Sequence, residues 1–62
     1  MIVFLVFEEN QETEVTLCVR VCSTSERAEK LVNELRIEAE IATKNGDYPN
    51  LYWWTMEEVE ES

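Results

Sequence analysis

The chain has no histidine, one glycine, one proline and only five basic residues among 62. Each scarcity removes a class of function. Without histidine there is no Ser/His or Cys/His nucleophile pair, and the commonest zinc ligand is missing. A single glycine leaves no glycine-rich loop to cradle phosphates. Fourteen acids against five bases give a formal charge of −9, and a chain so acidic is repelled by nucleic acid and by anionic membrane surfaces. The longest apolar run is far shorter than the roughly 18 residues of a membrane span. The opening MIVFLVFEENQ has neither a basic leader nor a small-residue cleavage site, so it reads as a strand rather than a signal peptide. The expected setting is the cytosol.

The two cysteines, Cys18 and Cys22, lie four residues apart. On one strand their Cα atoms would be roughly 13 Å apart, beyond the about 7 Å that a disulfide tolerates. Reduced, structural cysteines are expected.

The hydrophobic fraction is 45 %, with six aromatic residues, which suits a single folded domain over residues 1–62. A domain of this length buries only about 60 % of its unfolded surface, so a partner or a second copy is a standing possibility.

Ile2-Val-Phe-Leu-Val-Phe7 is apolar at every position and reads as a strand over about 2–9, buried on both faces. Asn10 to Thr13 is a turn. From Glu14 to Cys22 the residues alternate: Val15, Leu17, Val19 and Val21 on one side, Glu14, Thr16, Cys18, Arg20 and Cys22 on the other. That is the pattern of a half-exposed edge strand.

A helix over about 24–44 follows. Ser23 with Glu26 fits a capping box, and Ser25 is the alternative cap. Ala28, Leu31, Val32, Leu35, Ala39 and Ala42 share one stripe at helical spacing, the core face. Glu26 and Lys30 form an i,i+4 pair. Lys44 suits the negative end of the helix, Asn45-Gly46 suits a left-handed cap, and Pro49 prevents the helix from resuming. Residues 51–59 form the last strand. The expected fold is α+β, a ββαβ unit. Its mixed or antiparallel three-stranded sheet has order 2-1-3, with the helix packed on one face.

One helix covers one face, and the other face should then be polar. It is not. Strand one places Ile2/Phe4/Val6 on one side and Val3/Leu5/Phe7 on the other, so either phase leaves a large apolar trio uncovered. Trp53 and Trp54 must point to opposite faces, so one of them joins that trio, with Thr16 and Cys18. A patch of several hundred Å² marks an interaction surface. The candidate apolar contact residues are Trp53, Trp54, Phe4, Ile37 and Ile41. The two isoleucines lie one turn apart, opposite the core stripe; either they meet a partner, or the helix frays before Ile41, or a loop folds over them. The open face could pack on a second copy as a homodimer, receive a different protein, or be covered by the loop 45–50 or the C-terminal tail.

The acids form two poles. Glu8, Glu9, Glu12 and Glu14 surround the hairpin turn, and Glu57, Glu58, Glu60 and Glu61 end the chain, roughly 30 Å away along the strands. They either solvate exposed ends and block edge-to-edge aggregation, or imitate spaced phosphates and occupy a basic host protein's nucleic-acid site, as a DNA mimic does. Carboxylates at exposed ends lack the surroundings that tune a catalytic pKa, so no enzyme, no metal site and no cofactor is expected.

The stretches MIVFLVFEE, VCSTSERAEKLVNEL and YWWTMEEVE together resemble very small uncharacterised proteins of bacteriophages and their bacterial hosts. Those share a strand ending in acid, a variable hairpin, a Ser-x-x-Glu-x-Ala-Glu helix start and an aromatic-acidic last strand. The resemblance implies a ββαβ fold in the bacterial cytosol and no catalytic residues. It also implies a host-takeover inhibitor that acts by direct protein–protein binding; a small accessory homodimer without inhibitory role is the alternative. The paired tryptophans and the two isoleucines fall outside the shared pattern.

Overall fold

The most apolar segment, Ile2–Glu9 (β1), lies at the centre of the sheet. It pairs antiparallel with Thr16–Cys22 (β2) on one side and with Leu51–Glu58 (β3) on the other, in the order β2-β1-β3. The helix Ser25–Lys44 (α1) connects β2 to β3. The structure, a computed structural model, describes residues 1–44 and 50–60. The Asn45-Gly46 cap, Pro49 and Glu61 lie outside the described residues. The fold is therefore the ββαβ unit expected, with β3 running in the same direction as β2 because both oppose β1. A central strand has neighbours on both edges and side chains on both faces, which is why the uninterrupted apolar run occupies it.

The hairpin closes differently from a tight two-residue turn. The side-chain Oδ1 of Asn10 accepts the backbone N–H groups of Glu12 (2.9 Å) and Thr13 (3.1 Å), an Asx turn that replaces the missing Asn-Gly signal. The Asn10 N–H donates to the Val15 carbonyl at 2.9 Å, and the Glu14 N–H to the Asn10 carbonyl at 2.7 Å. Glu14 completes the loop with φ of 61°, a left-handed conformation that costs a residue with a Cβ about 1–2 kcal/mol. The strand expected from Glu14 accordingly starts at Thr16 instead.

The even alternation expected in β2 does not hold. Val6 pairs with Arg20, but the next residue, Phe7, pairs with Cys18, so Val19 is an inserted bulge residue. The bulge shifts the phase of the strand halfway along. Val21 shares the face of Leu5, and Cys18 that of Phe7, while Arg20 and Cys22 share the faces of Val6 and Phe4. Val15, Leu17, Val19 and Val21 therefore do not form one face, and Cys22 packs against the core rather than beside Cys18. Both cysteines are free thiols.

The helix is capped by neither Ser23 nor Ser25. Thr24 Oγ1 accepts the Arg27 N–H at 3.2 Å, and the Thr24 carbonyl accepts the Ala28 N–H at 3.2 Å. Thr24 thus reaches the third helical N–H as an N-cap, while Glu26 in the first turn complements the helix dipole. The helix persists to Lys44, with Thr43 Oγ1 donating to the Ala39 carbonyl at 2.9 Å. Fraying before Ile41 does not occur. Its buried positions, Ala28 and Val32, and its half-buried apolar ones, Leu31, Leu35, Ala39 and Ala42, are the stripe legible in the sequence. Ala28 and Val32 make the core with the fully buried Val6, and Phe4, Cys22, Leu31, Leu35, Tyr52 and Trp54 pack around it.

Candidate interaction face

The burial of Val6 against Ala28 and Val32 fixes the phase of the whole sheet. Residues two apart along a strand share a face, and paired residues across strands do too. Phe4 and Trp54 therefore lie on the helix side, with ring centroids 5.7 Å apart and planes at 72°, an edge-to-face contact. Val3, Leu5 and Phe7 lie on the opposite side. There Phe7 pairs directly with Trp53, centroids 5.8 Å apart and planes 23° apart, a stacked pair.

Two candidate contact residues thus change place. Phe4 and Trp54 belong to the core side, and the uncovered face is built instead from Val3, Leu5, Phe7 and Trp53, flanked by Cys18 and Val21 of β2 and Thr55 of β3. No element among the described residues packs on that face. Its central members are half-buried, while Val21 is 58 % exposed. The phase was not legible in β1 itself, since both of its alternations are apolar. The bulge that brings Val21 onto this face left no glycine or proline to announce it.

Ile37 and Ile41 are exposed, 58 % and 56 % respectively, on a helix whose opposite stripe meets the sheet. They do not join the open face; the helix and sheet layers separate them from it.

The acids divide as the strand directions require. At the hairpin end, Glu9 is on the open face opposite Thr16 and Leu51, and Glu8 is on the helix side. Glu12 and Glu14 are exposed in the loop. Glu8 Oε2 accepts the Tyr52 hydroxyl at 2.9 Å. Partial burial, and then that hydrogen bond, raise the Tyr52 phenol above its ordinary value of 10.0. At the other end Glu57, paired with Val3, is on the open face, and Glu58, paired with Ile2, is on the helix side. Glu60 follows, exposed. The Met1 ammonium donates to the Val59 carbonyl at 3.1 Å and the Val59 N–H to the Met1 carbonyl at 2.8 Å, so the pairing of β1 and β3 runs on past their last regular residues.

The bases are all elsewhere. Arg20 shares the face of Val6, and the other four, Arg27, Lys30, Arg36 and Lys44, are carried by α1. Arg36 reaches from the helix to donate to the Tyr52 carbonyl at 2.9 Å. Beside it, an open cleft of about 300 Å³ is lined by Arg36, Ala39, Glu40, Thr43, Asn50, Leu51 and Tyr52. Among the described residues its ionisable groups are one guanidinium, one carboxylate and one phenol, and none of these pairs a nucleophile with a base.

Among the described residues no group of three or more Cys, Asp or Glu side chains is arranged to hold a metal ion, and no helix is long and apolar enough to cross a membrane. Comparison with protein-family models, with curated proteins and with solved structures finds no match to this chain.

Proposed function

We propose that this chain is a non-enzymatic, acidic binding protein that inhibits a partner by direct contact, occupying a basic surface of the kind that binds nucleic acid. The observation that carries this reading is the open sheet face: an aromatic and aliphatic centre with acid at both ends and no base beside it. Surfaces of that composition bind through a few buried aromatic anchors, while charge at the rim selects the partner and speeds encounter. The resemblance to small phage and bacterial proteins makes a bacterial host factor the target in this reading, and the cytosol the place of action. The chain would act by occupancy, with no bond made or broken.

The test is capture from nuclease-treated bacterial lysate on the immobilised chain, followed by a nucleic-acid-binding assay of the captured protein with and without added chain. The reading expects a protein retained at low salt, released by roughly 1 M salt where screening is nearly complete, and displaced from nucleic acid by the chain. If nothing is retained at low salt, the inhibitor reading fails. Retention that is undiminished at high salt removes the acidic poles from the account. A second reading, a small accessory homodimer joined through the same face, follows from the uncovered apolar centre alone and gives the acid no role.

A further inference from the structure

The same face specifies its occupant more closely. Resting on the binding-protein reading above, we propose that the open sheet face docks a protein surface whose apolar centre lies between two basic clusters about 20 Å apart, and not a second copy of this chain.

The spacing comes from the register. Among the described residues, Glu9 and Glu57 are the charged ones on this face; Glu57 pairs with Val3, so the two carboxylates are six strand positions apart, about 20 Å at about 3.3 Å per residue. Between them stand the Phe7–Trp53 stack and Leu5, without a charge.

A second copy fits poorly for two reasons that act together. With strands aligned to within about 30°, either orientation lays an acidic end over an acidic end, because both ends are acidic. No base from either chain can intervene, since all five lie on the helix or the helix side. Crossing the sheets at about 90° avoids this, but three strands about 4.8 Å apart then overlap in a square only about 14 Å wide. That footprint of about 200 Å² is well below the about 800 Å² per partner of a stable interface. A partner bringing lysine or arginine to both ends gains the full length of the face and neutralises it. The stack supplies the affinity, and the two ends supply the choice of partner.

A defined probe tests this without knowledge of the natural partner. The isotope-labelled chain is titrated at roughly 0.15 M salt with a peptide in which three lysines flank each side of an apolar strand of about seven residues, which spans about 23 Å when extended. We expect amide shifts at Leu5, Phe7, Trp53, Glu9 and Glu57, and binding about tenfold weaker when either lysine cluster becomes serine, the equivalent of about 1.4 kcal/mol. Trp53→Ser and Phe7→Ser should each abolish binding while the chain's own spectrum stays dispersed. The proposal is overturned if one lysine cluster suffices, if the shifts fall on the acids without the stack, or if they centre on Ile37 and Ile41. It is also overturned if the free chain sediments as a dimer that buries the stack. Peptide binding with failed displacement of nucleic acid would uphold this face and reject only the inhibitory function; displacement without peptide binding would do the reverse.

Discussion

Phe7 and Trp53 stack across β1 and β3 on the side that α1 leaves bare, with their ring centroids 5.8 Å apart. One residue further along each strand toward the opposite face, the pattern changes. Trp54 pairs with Val6, the fully buried residue, and meets Phe4 edge to face. Two tryptophans adjacent in sequence are thereby given separate environments by the two-residue period of a strand. One packs on the core and the other lies half-buried on the uncovered face beside a phenylalanine. The consequences can be measured one residue at a time.

Glu14 carries the only positive φ among the described non-glycine residues, 61°. Glycine adopts that conformation without a Cβ clash but loses more freedom on folding. Glu14→Gly is expected to stabilise the chain by about 0.5–1 kcal/mol, read as a higher urea midpoint with unchanged slope. A lower midpoint would mean that the loop does not hold Glu14 in this conformation.

Thr24 is the residue whose hydroxyl reaches the Arg27 N–H. Thr24→Ala should cost about 1 kcal/mol, whereas Ser23→Ala and Ser25→Ala should each cost well under that. Thermal melts followed by circular dichroism separate the three. A larger loss at Ser23 would restore the capping box with Glu26 as the true helix start.

Tyr52 ties stability to alkaline pH. Its phenol is raised above 10.0 by burial and by the hydrogen bond to Glu8, so the folded chain holds that proton more tightly than the unfolded chain does. The stabilisation is complete below the ordinary phenol value and is lost as pH rises through the raised one. Urea midpoints measured from about pH 9 to about pH 11 should fall in the parent chain and fall less in Tyr52→Phe. Equal slopes for the two chains would contradict the contact.

Much of this was legible in the sequence because the relevant periods are unambiguous. The six-residue helical stripe from Ala28 to Ala42 gave the core side of α1, and an unbroken apolar run could only be satisfied at the centre of the sheet. That Trp53 and Trp54 must part company followed from strand geometry alone. Which of them faces the helix did not, because β1 is apolar in both phases and only the packing of Val6 onto Ala28 and Val32 decides between them. The bulge at Val19 was hidden for a different reason. Alternating valines satisfy a regular strand as well as a shifted one, and the shift becomes visible only when Phe7 is seen to pair with Cys18. The cap moved by a single residue among Ser23, Thr24 and Ser25, where all three side chains are competent.

The division between a core face and a presented face is tested most directly by urea unfolding of Trp53→Ala and Trp54→Ala, each monitored by circular dichroism alongside the parent chain. Loss of Trp54 removes a ring packed on the core and should cost about 2–4 kcal/mol, comparable with the whole stability expected of so small a domain, so this variant should be largely unfolded. Loss of Trp53 removes one cross-strand pair and should cost about 0.5–1 kcal/mol, leaving a folded chain. If Trp53→Ala unfolds the chain as thoroughly as Trp54→Ala, the two faces are not distinct and the account is wrong.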